Sequence, residues 1–180
     1  INNVYFDTHD YQFFSTNVEG DNKRLKVRIR WYGNLHNVMK PILEYKIKNG
    51  NIVSKKNYQI EMNHLSEILD TTSFMKRISE TCSDKKVAEQ LLYLKPTLVN
   101  RYFRGYYSTQ NEHVRLTIDE DVEFYSPDTL TLFYKEHARL LELKYAPEHE
   151  KTAELLSNTM DFRLKKNSKY VNGLSKLLWY

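Results

Sequence analysis

The chain has 180 residues, of which 41% are hydrophobic and 28% charged, a composition typical of one globular domain with its own core. A net charge of only +4 excludes a chain that is basic throughout, such as a nucleic-acid-binding arm. Cys82 is the only cysteine, which excludes an internal disulfide framework and a multi-cysteine zinc site. No apolar run approaches the roughly 20 residues that a membrane-spanning helix needs.

The predicted elements follow the order strands, helices, strands, helices. Apolar residues that recur every second position predict the first strands, over residues 3–7, 23–32, 41–48 and 53–62. Helical spacing of apolar residues predicts helices within 63–94, with Asn63 and Asp84 as caps and Pro96 after the last turn. Strands are predicted again over 97–108, 112–119, about 130–134 and 138–145. A helix follows over 148–160, and the tail is helical at its end.

The second predicted strand, KRLKVRIRW, separates its charges cleanly by face. Because side chains alternate along a strand, one face carries four cations and no anion: Arg24, Lys26, Arg28 and Arg30. The opposite face is apolar: Leu25, Val27, Ile29 and Trp31. Two cations ~6 Å apart repel by roughly 3 kcal/mol at an effective dielectric constant near 20, so repeating such a face over several strands is costly unless an anion lies among the cations.

Most of the other strands repeat this pattern. Their charged positions are Glu44 with Lys46, Lys55 or Lys56, Arg101 or Arg104, Arg115 with Asp119, and Glu142 with Lys144. The sequence leaves the register of the lysine pair open, and it places the two arginines on opposite faces. A solvated outer face is the ordinary alternative for any one strand. Repetition over several strands instead favours a sheet that encloses a cationic lumen for a polyanion.

The two glutamates suggest a metal ion within that lumen. A carboxylate beside phosphate oxygens is repulsive unless a divalent cation such as Mg²⁺ or Mn²⁺ bridges them. Glu142 is the stronger candidate and Glu44 the weaker, with a plain salt bridge to a neighbouring lysine as the alternative. Because phosphoryl transfer depends on positioning and charge neutralisation, arginines, lysines and one metal ion would suffice for it.

The ordered run VYFDT, KVRIRWYG, LEYK, KK, YFRGYY, VRLTID, LLELKY and NSKYVNG resembles the VTC domain of the triphosphate tunnel metalloenzyme superfamily. The resemblance covers nearly the whole chain, and its most specific motifs are RxRWYG and SKYVxG. It implies an α+β fold in which an antiparallel β-barrel forms a basic tunnel packed by helices. It also implies an ATP-dependent polyphosphate polymerase that uses Mn²⁺ or Mg²⁺, with ATP and polyphosphate as its substrates.

The resemblance also assigns roles to residues of this chain. The catalytic cations that it implies are Arg28, Arg30, Lys46, Lys56, Arg104 and Arg115. The metal ligand is Glu142, and the tail contributes Lys166, Ser168 and Lys169 to substrate binding. The strand faces add three further cations to the substrate-binding set: Arg24, Lys26 and Lys144.

The family pattern begins with a further segment, including a first strand, that this sequence does not contain. We therefore expect residues 1–180 to form a single tunnel domain that is truncated at its N-terminus. Two alternatives stay open: a triphosphatase of the same superfamily, and a non-catalytic module that binds polyphosphate or nucleic acid. We expect a cytoplasmic protein that reaches a membrane only through a membrane-protein partner, and we expect no nucleic-acid partner.

Overall fold

The fold is described from a computed structural model, which covers residues 1–160, 165 and 167–179. Its strands are β1 (Asn2–Thr8), β2 (Lys23–Trp31), β3 (Ile42–Asn49), β4 (Ile52–Gln59), β5 (Leu94–Ser108), β6 (Val114–Tyr125), β7 (Leu132–Glu136) and β8 (Leu140–Tyr145). Its helices are α1 (Gln12–Glu19), α2 (Thr71–Thr81), α3 (Lys85–Leu91), α4 (Glu150–Asn158) and α5 (Lys169–Trp179). Two short 3₁₀ turns cover Leu65–Leu69 and Pro147–His149. None of the helices in the described ranges has the length and hydropathy that crossing a membrane requires.

The strands form one antiparallel sheet in the order β4-β3-β2-β1-β5-β6-β7. The long strand β6 pairs with β7 near Tyr125 and with β8 along Val114–Asp119, so β8 lies off the main path. Within the described residues this sheet is not closed, because β4 pairs only with β3. The expected α+β fold with an antiparallel sheet is therefore confirmed, whereas a closed barrel is not.

The apolar face of β2 packs into the larger of two cores. Ile29 and Trp31 have no exposed surface, and the same core contains Phe74 and Ile78 of α2 and Leu91 of α3. The period-two pattern of KRLKVRIRW predicted this arrangement. Burial of this apolar surface, at about 25 cal/mol per Å², is the main force that holds the two helices against the sheet.

The opposite face of the sheet carries a smaller core at one end. There Tyr5, Leu98 and Phe124 pack against Tyr170 and Leu174 of α5. This core occupies only part of the face, and the charged side chains of β2, β3 and β4 occupy the rest. Helix α5 therefore lies on the same side of the sheet as the cations predicted from the sequence.

Helix α1 is absent from the sequence-based prediction. Its preceding residue, Tyr11, is left-handed and offers no side-chain cap. The cap comes instead from the buried Asp7 on β1, whose Oδ1 accepts from the Phe13 amide and whose Oδ2 accepts from the Phe14 amide, both at 2.8 Å. Because this cap lies outside the local pattern of cap residues, the sequence signal for the helix was weak.

Candidate active site

A cavity of about 340 Å³ lies on the charged face of the sheet, between the strands and the start of α5. Its cations come from five strands and one helix: Lys26, Arg28, Arg30, Lys46, Lys55, Arg104, Lys144 and Lys169. Among the residues that the structure describes, the carboxylates that line it are those of Glu44 and Glu142. The cavity therefore has a large excess of positive charge, which a polyanion would neutralise.

Strand register brings the cations together in rows across the sheet. Lys26 lies opposite Lys46, and Lys46 lies opposite Lys55, so three lysines from three strands share one row on one face. In the next row Arg28 lies opposite Glu44. Residues directly opposite in an antiparallel pair have Cβ atoms only about 5 Å apart, so the lysine row is unfavourable without an anion.

Glu44 is almost fully occupied by the cations around it. Its Oε2 accepts from Arg28 Nε at 2.6 Å, its Oε1 accepts from Lys55 Nζ at 2.6 Å, and Arg30 lies 4.0 Å away. Burial would raise the pKa of Glu44, but these cations outweigh it and hold the pKa below its ordinary value. Glu44 therefore stays ionised and fixes the orientation of Arg28 and Lys55.

Arg30 is held by a chain of buried polar groups. Its Nε donates to Asn3 Oδ1 at 3.0 Å, and Asn3 donates in turn to Asn100 Oδ1 at 2.8 Å. Both asparagines have no exposed surface. The guanidinium also donates to the Tyr102 hydroxyl at 3.3 Å. These contacts orient the guanidinium before any ligand arrives, which reduces the entropy that binding must overcome.

A second ion-pair cluster joins the sheet to α5. Arg104 donates to both oxygens of Asp119, at 2.5 and 2.7 Å, and Lys169 also bonds that carboxylate. Burial would raise the pKa of Asp119, but the bonds from Arg104 and Lys169 lower it. Since Arg104 and Lys169 also line the cavity, Asp119 holds two of its cations in place.

Lys26 is a cavity cation whose pKa is shifted toward neutral pH. Its ammonium donates to Ser168 Oγ at 2.8 Å, just before α5 begins. Burial first, and then repulsion from Lys46 and the neighbouring arginines, lower the pKa of Lys26 to about 8. A bound anion would favour the charged form and raise this pKa again.

The motif SKYVNG explains how α5 sits beside the cavity. The Tyr170 hydroxyl donates to Asp7, and its ring stacks on Tyr5 with centroids 5.1 Å apart. Gly173 lies so close to the sheet that a Cβ there would approach Leu98 Cδ2 to 2.7 Å. Lys169 and the preceding serine, from the same motif, face the cavity. The N-terminal end of α5 thus adds its positive helix dipole to this wall.

Glu142 differs from the other carboxylates of this region. Its side chain is 52% exposed, and its nearest cations, Lys144 and Arg104, are 3.5 and 3.8 Å away. Glu44 and Asp119 are nearly inaccessible and already bonded to cations. Glu142 is therefore the carboxylate of this cavity best placed to take a divalent cation. No group of three or more His, Cys, Asp or Glu that could hold a metal occurs among the described residues.

Most of the residues singled out from the sequence line this cavity, but three do not. Lys56 lies on the opposite face, where its ammonium pairs with Asp84 at 3.2 Å, and Lys55 takes the cavity position instead. This corrects the placement of Lys56, because the register of β4 against β3 decides which lysine faces inward. Arg115 lies opposite Lys144, beyond the cavity lining.

Arg24, the third, lines a neighbouring cavity instead. Lys166 lies outside the described residues. The cavity wall also contains three tyrosines that are not among the predicted site residues: Tyr5, Tyr102 and Tyr170. For Tyr5 and Tyr102, a tyrosine on the polar face of a predicted strand is the signal that could have identified them.

The fold and the cavity together define the class: an α+β protein whose antiparallel sheet carries a strongly basic cavity on one face. The chain belongs to the VTC domain family, whose sequence model matches residues 1–178. This agrees with the family that the motifs RxRWYG and SKYVxG resemble.

Two known proteins are similar to this chain. Vacuolar transporter chaperone complex subunit 2 of Schizosaccharomyces pombe is 25% identical over 144 residues, which cover 72% of this chain. The match spans only about a fifth (20%) of that protein's length. The crystal structure of a candidate adenylate cyclase from Bacillus halodurans superposes with a TM-score of 0.51 and 14% identity, over 93% of this chain and 78% of that one. The second similarity shows a shared fold.

Proposed function

We propose that this domain is a polyphosphate polymerase that transfers the terminal phosphoryl group of ATP to the end of a polyphosphate chain. The observation that carries the proposal is the excess of cations in the cavity together with an exposed, lightly paired carboxylate, that of Glu142. Membership of the VTC family supports it. In the reaction the bond between the β–γ bridging oxygen and the γ-phosphorus breaks, a terminal oxygen of the acceptor bonds to that phosphorus, and ADP leaves.

The residues of the chain would contribute mainly charge and position. Arg28 and Arg30, both oriented by buried partners, would bind the oxygens of the transferred phosphoryl group and stabilise its charge as the bond breaks. Arg104 and Lys169 would hold the rest of the triphosphate from the other wall. Such preorganised donors are the main catalytic requirement of phosphoryl transfer, because the protein supplies no covalent nucleophile.

Glu142 would hold a divalent cation in this reaction. Mg²⁺ usually keeps several waters and binds through one or two carboxylates plus substrate phosphates, so one exposed glutamate fits its needs. Mn²⁺ or Mg²⁺ would neutralise phosphate charge when bound there. Glu44 fits less well, since metal binding would have to break its bonds to Arg28 and Lys55.

The acceptor is what separates this proposal from its alternative within the superfamily. If water took the place of the polyphosphate end, the same cavity would give a triphosphatase.

We propose a membrane-protein partner as well, because the S. pombe relative is named as a subunit of a transporter chaperone complex. The domain itself would work on the cytoplasmic side.

The first experiment is to incubate the purified chain with ATP and Mn²⁺, and to analyse the products on a urea gel beside a free-phosphate assay. A ladder of polyphosphate supports the polymerase. Release of free phosphate without a ladder reassigns the domain as a triphosphatase. If neither product forms while tripolyphosphate still binds, the domain is a non-catalytic polyanion-binding module.

The decisive variant is Glu142→Gln. We expect it to abolish turnover and to leave metal-free tripolyphosphate binding unchanged or tighter, because it removes a negative charge from a basic cavity. Glu148→Gln is the matched control, since Glu148 lies a few residues further along the chain, exposed and outside the cavity. Full turnover by Glu142→Gln would contradict the metal assignment.

A further inference from the structure

A cavity of about 430 Å³ lies on the helix-covered face of the sheet, on the other side from the candidate active site. We call it the helix-side cavity. Its apolar walls come from four elements: Phe13 of α1, Leu25 of β2, Ile47 of β3 and Val87 of α3. Small-molecule sites have volumes of about 300–1,000 Å³ and combine an apolar lining with a few polar groups. The helix-side cavity has the volume and the lining of such a site.

Tyr45 is the buried polar group of this cavity. Its side chain is 1% exposed, and its hydroxyl has no hydrogen-bond partner among the described residues. The Tyr58 ring packs edge-on against it, with centroids 6.3 Å apart, but the Tyr58 hydroxyl donates to Asp84 instead. Burial raises the pKa of Tyr45, so its hydroxyl keeps its proton and remains a donor. Because a buried hydroxyl without a partner is costly, an acceptor atom in the cavity would complete this site.

Cations lie at the open side of the same cavity. Lys23 and Arg24 begin β2 and Lys48 lies near the end of β3; Lys23 is exposed and the other two are half-buried. In the described part of the chain no aspartate or glutamate lines the cavity, and no salt bridge engages these three cations. A further cation, Lys56, is already paired with Asp84. The open side is therefore suited to the anionic group of a ligand.

The spacing along β3 sets the length of the ligand. Tyr45 and Lys48 are three residues apart on this strand, which is about 10 Å. A ligand that contacts both ends therefore needs a negative group and an acceptor oxygen separated by an apolar body of about this length. A naphthalene ring with a substituent at each end meets this requirement.

We propose that the helix-side cavity binds a small amphipathic anion. Its negative group contacts the cations at the open side, its apolar body packs against Phe13, Ile47 and Val87, and its acceptor oxygen receives the hydrogen bond from Tyr45. A small molecule suits the site better than a docked polypeptide segment, because the hydroxyl without a partner lies below the surface. The inference is independent of the proposed phosphoryl transfer, since Tyr45 and Ile47 face away from the active site.

Three naphthalene derivatives serve as probes, with their affinities for the full chain measured by calorimetry. The compound 6-hydroxy-2-naphthoate carries both polar groups, 2-naphthoate lacks the hydroxyl, and 2-naphthol lacks the anion. We expect 6-hydroxy-2-naphthoate to bind tightest, at one site per chain, and on the order of tenfold tighter than 2-naphthol. Tripolyphosphate should not compete with it.

Tyr45→Phe tests the buried end of the site. It should weaken 6-hydroxy-2-naphthoate severalfold and change the affinity for 2-naphthoate by less than about twofold, because only the first probe offers an oxygen to the hydroxyl. The melting temperature of this variant should not fall, since the hydroxyl that it removes has no partner in the described structure.

Lys23→Ala with Lys48→Ala tests the open side. We expect this double variant to lose on the order of tenfold in affinity for both naphthoates and less than about twofold for 2-naphthol. Its matched control is Lys76→Ala with Lys151→Ala, which removes the same charge from exposed positions on α2 and α4 outside the cavity.

Gln90→Trp, at a half-buried position of α3 that lines the cavity, should abolish binding of all three probes by filling the space. Unchanged affinity in a folded Gln90→Trp protein, or full competition by tripolyphosphate, would place the probes elsewhere and overturn the inference. An equal loss for both naphthoates in Tyr45→Phe would also overturn it. If no probe binds the wild-type protein, the cavity is not a site for this class of ligand. Should Gln90→Trp fail to fold, the Tyr45→Phe comparison decides, because it leaves the aromatic ring in place.

Discussion

At the scale of single residues, the cations of the cavity differ in whether they already have an anionic partner. Arg28 and Lys55 are held by Glu44, and Arg104 is held by Asp119. Lys26 instead donates to a neutral serine hydroxyl and lies opposite Lys46. We infer that the paired cations shape the cavity, and that the lysines of β2 and β3 gain the most from a bound anion.

The neighbouring residues Lys55 and Lys56 provide a matched pair for testing which face binds the anion. Lys55 lines the cavity, whereas Lys56 pairs with Asp84 on the opposite face. We expect Lys55→Ala to weaken tripolyphosphate binding by on the order of tenfold, the loss of one charge-assisted contact. Lys56→Ala should change affinity by less than about twofold. Calorimetric titration of both variants checks this, and a larger loss in Lys56→Ala would contradict the register.

Lys26 makes anion binding depend on pH near neutrality. The folded-state pKa of Lys26 is about 8, below its ordinary value of 10.5, so above pH 8 the empty cavity loses this charge. A bound anion raises that pKa, and binding above pH 8 must therefore take up a proton. We expect the tripolyphosphate affinity of wild-type protein to fall by up to about tenfold between pH 7 and pH 9.

The control for this pH dependence is Lys26→Arg, because arginine stays charged over the whole range. The variant should bind tripolyphosphate with a flatter pH profile between pH 7 and pH 9. Proton uptake is measured directly by calorimetry in buffers of different ionisation enthalpy. The same pH profile in both proteins would show that another group is responsible.

At the scale of elements, α5 connects the cavity to the rest of the fold. Asp7 on β1 caps α1 and also accepts from the Tyr170 hydroxyl, so one buried carboxylate positions two helices. Lys169, one residue earlier, bonds to Asp119 on β6. Displacement of α5 would therefore remove part of the cavity wall.

Gly173→Ala tests this coupling. The added Cβ would lie 2.5 Å from Phe124 Cε1 and 2.7 Å from Leu98 Cδ2, both in the smaller core. Overpacking of this kind costs about 1–3 kcal/mol, more than the ~1 kcal/mol that alanine adds to helix propensity. We expect a lower melting temperature and weaker tripolyphosphate binding. Ser175→Ala on the same helix is the control, and a Gly173→Ala protein as stable as wild type would exclude the close seating of α5.

At the scale of the whole molecule, the two faces of the sheet have different roles. One face packs into the larger core and stabilises the fold, and the other carries the cations of the cavity. Trp31 is fully buried in the larger core, whereas Lys46 is exposed on the cavity face of the adjacent strand. We expect Trp31→Ala to lower the free energy of unfolding by about 3–5 kcal/mol, measured by denaturant titration.

Lys46→Ala is the counterpart on the other face. It removes a charge that repels Lys26, so stability should stay within about 0.5 kcal/mol of wild type, as for most surface substitutions. Tripolyphosphate affinity should nevertheless fall severalfold, since Lys46 lines the cavity. A large loss of stability in Lys46→Ala, with unchanged affinity, would mean that the two faces are not separated in this way.

The sequence by itself determined which side chains of β2 share a face. The period-two pattern of β2 placed Arg28 and Arg30 on the charged face and Trp31 in the core, and the structure confirms both positions. The helices of residues 63–94 were also predicted, because Asp84 is a local cap: its Oδ1 accepts from the Lys86 and Val87 amides. These features depend on residues that are close together in the chain, so a sequence pattern can predict them.

Features that depend on residues far apart in the chain were decided only by the tertiary structure. Asp7 caps α1 and binds Tyr170, which lies 163 positions away. Lys55 replaced Lys56 in the cavity because a shift of one residue in strand register moves every side chain to the other face. The extent of the sheet, open at β4 within the described residues, is likewise a property of strand pairing. Local propensity can specify a strand and its two faces, but register, caps from other elements and sheet closure depend on long-range contacts.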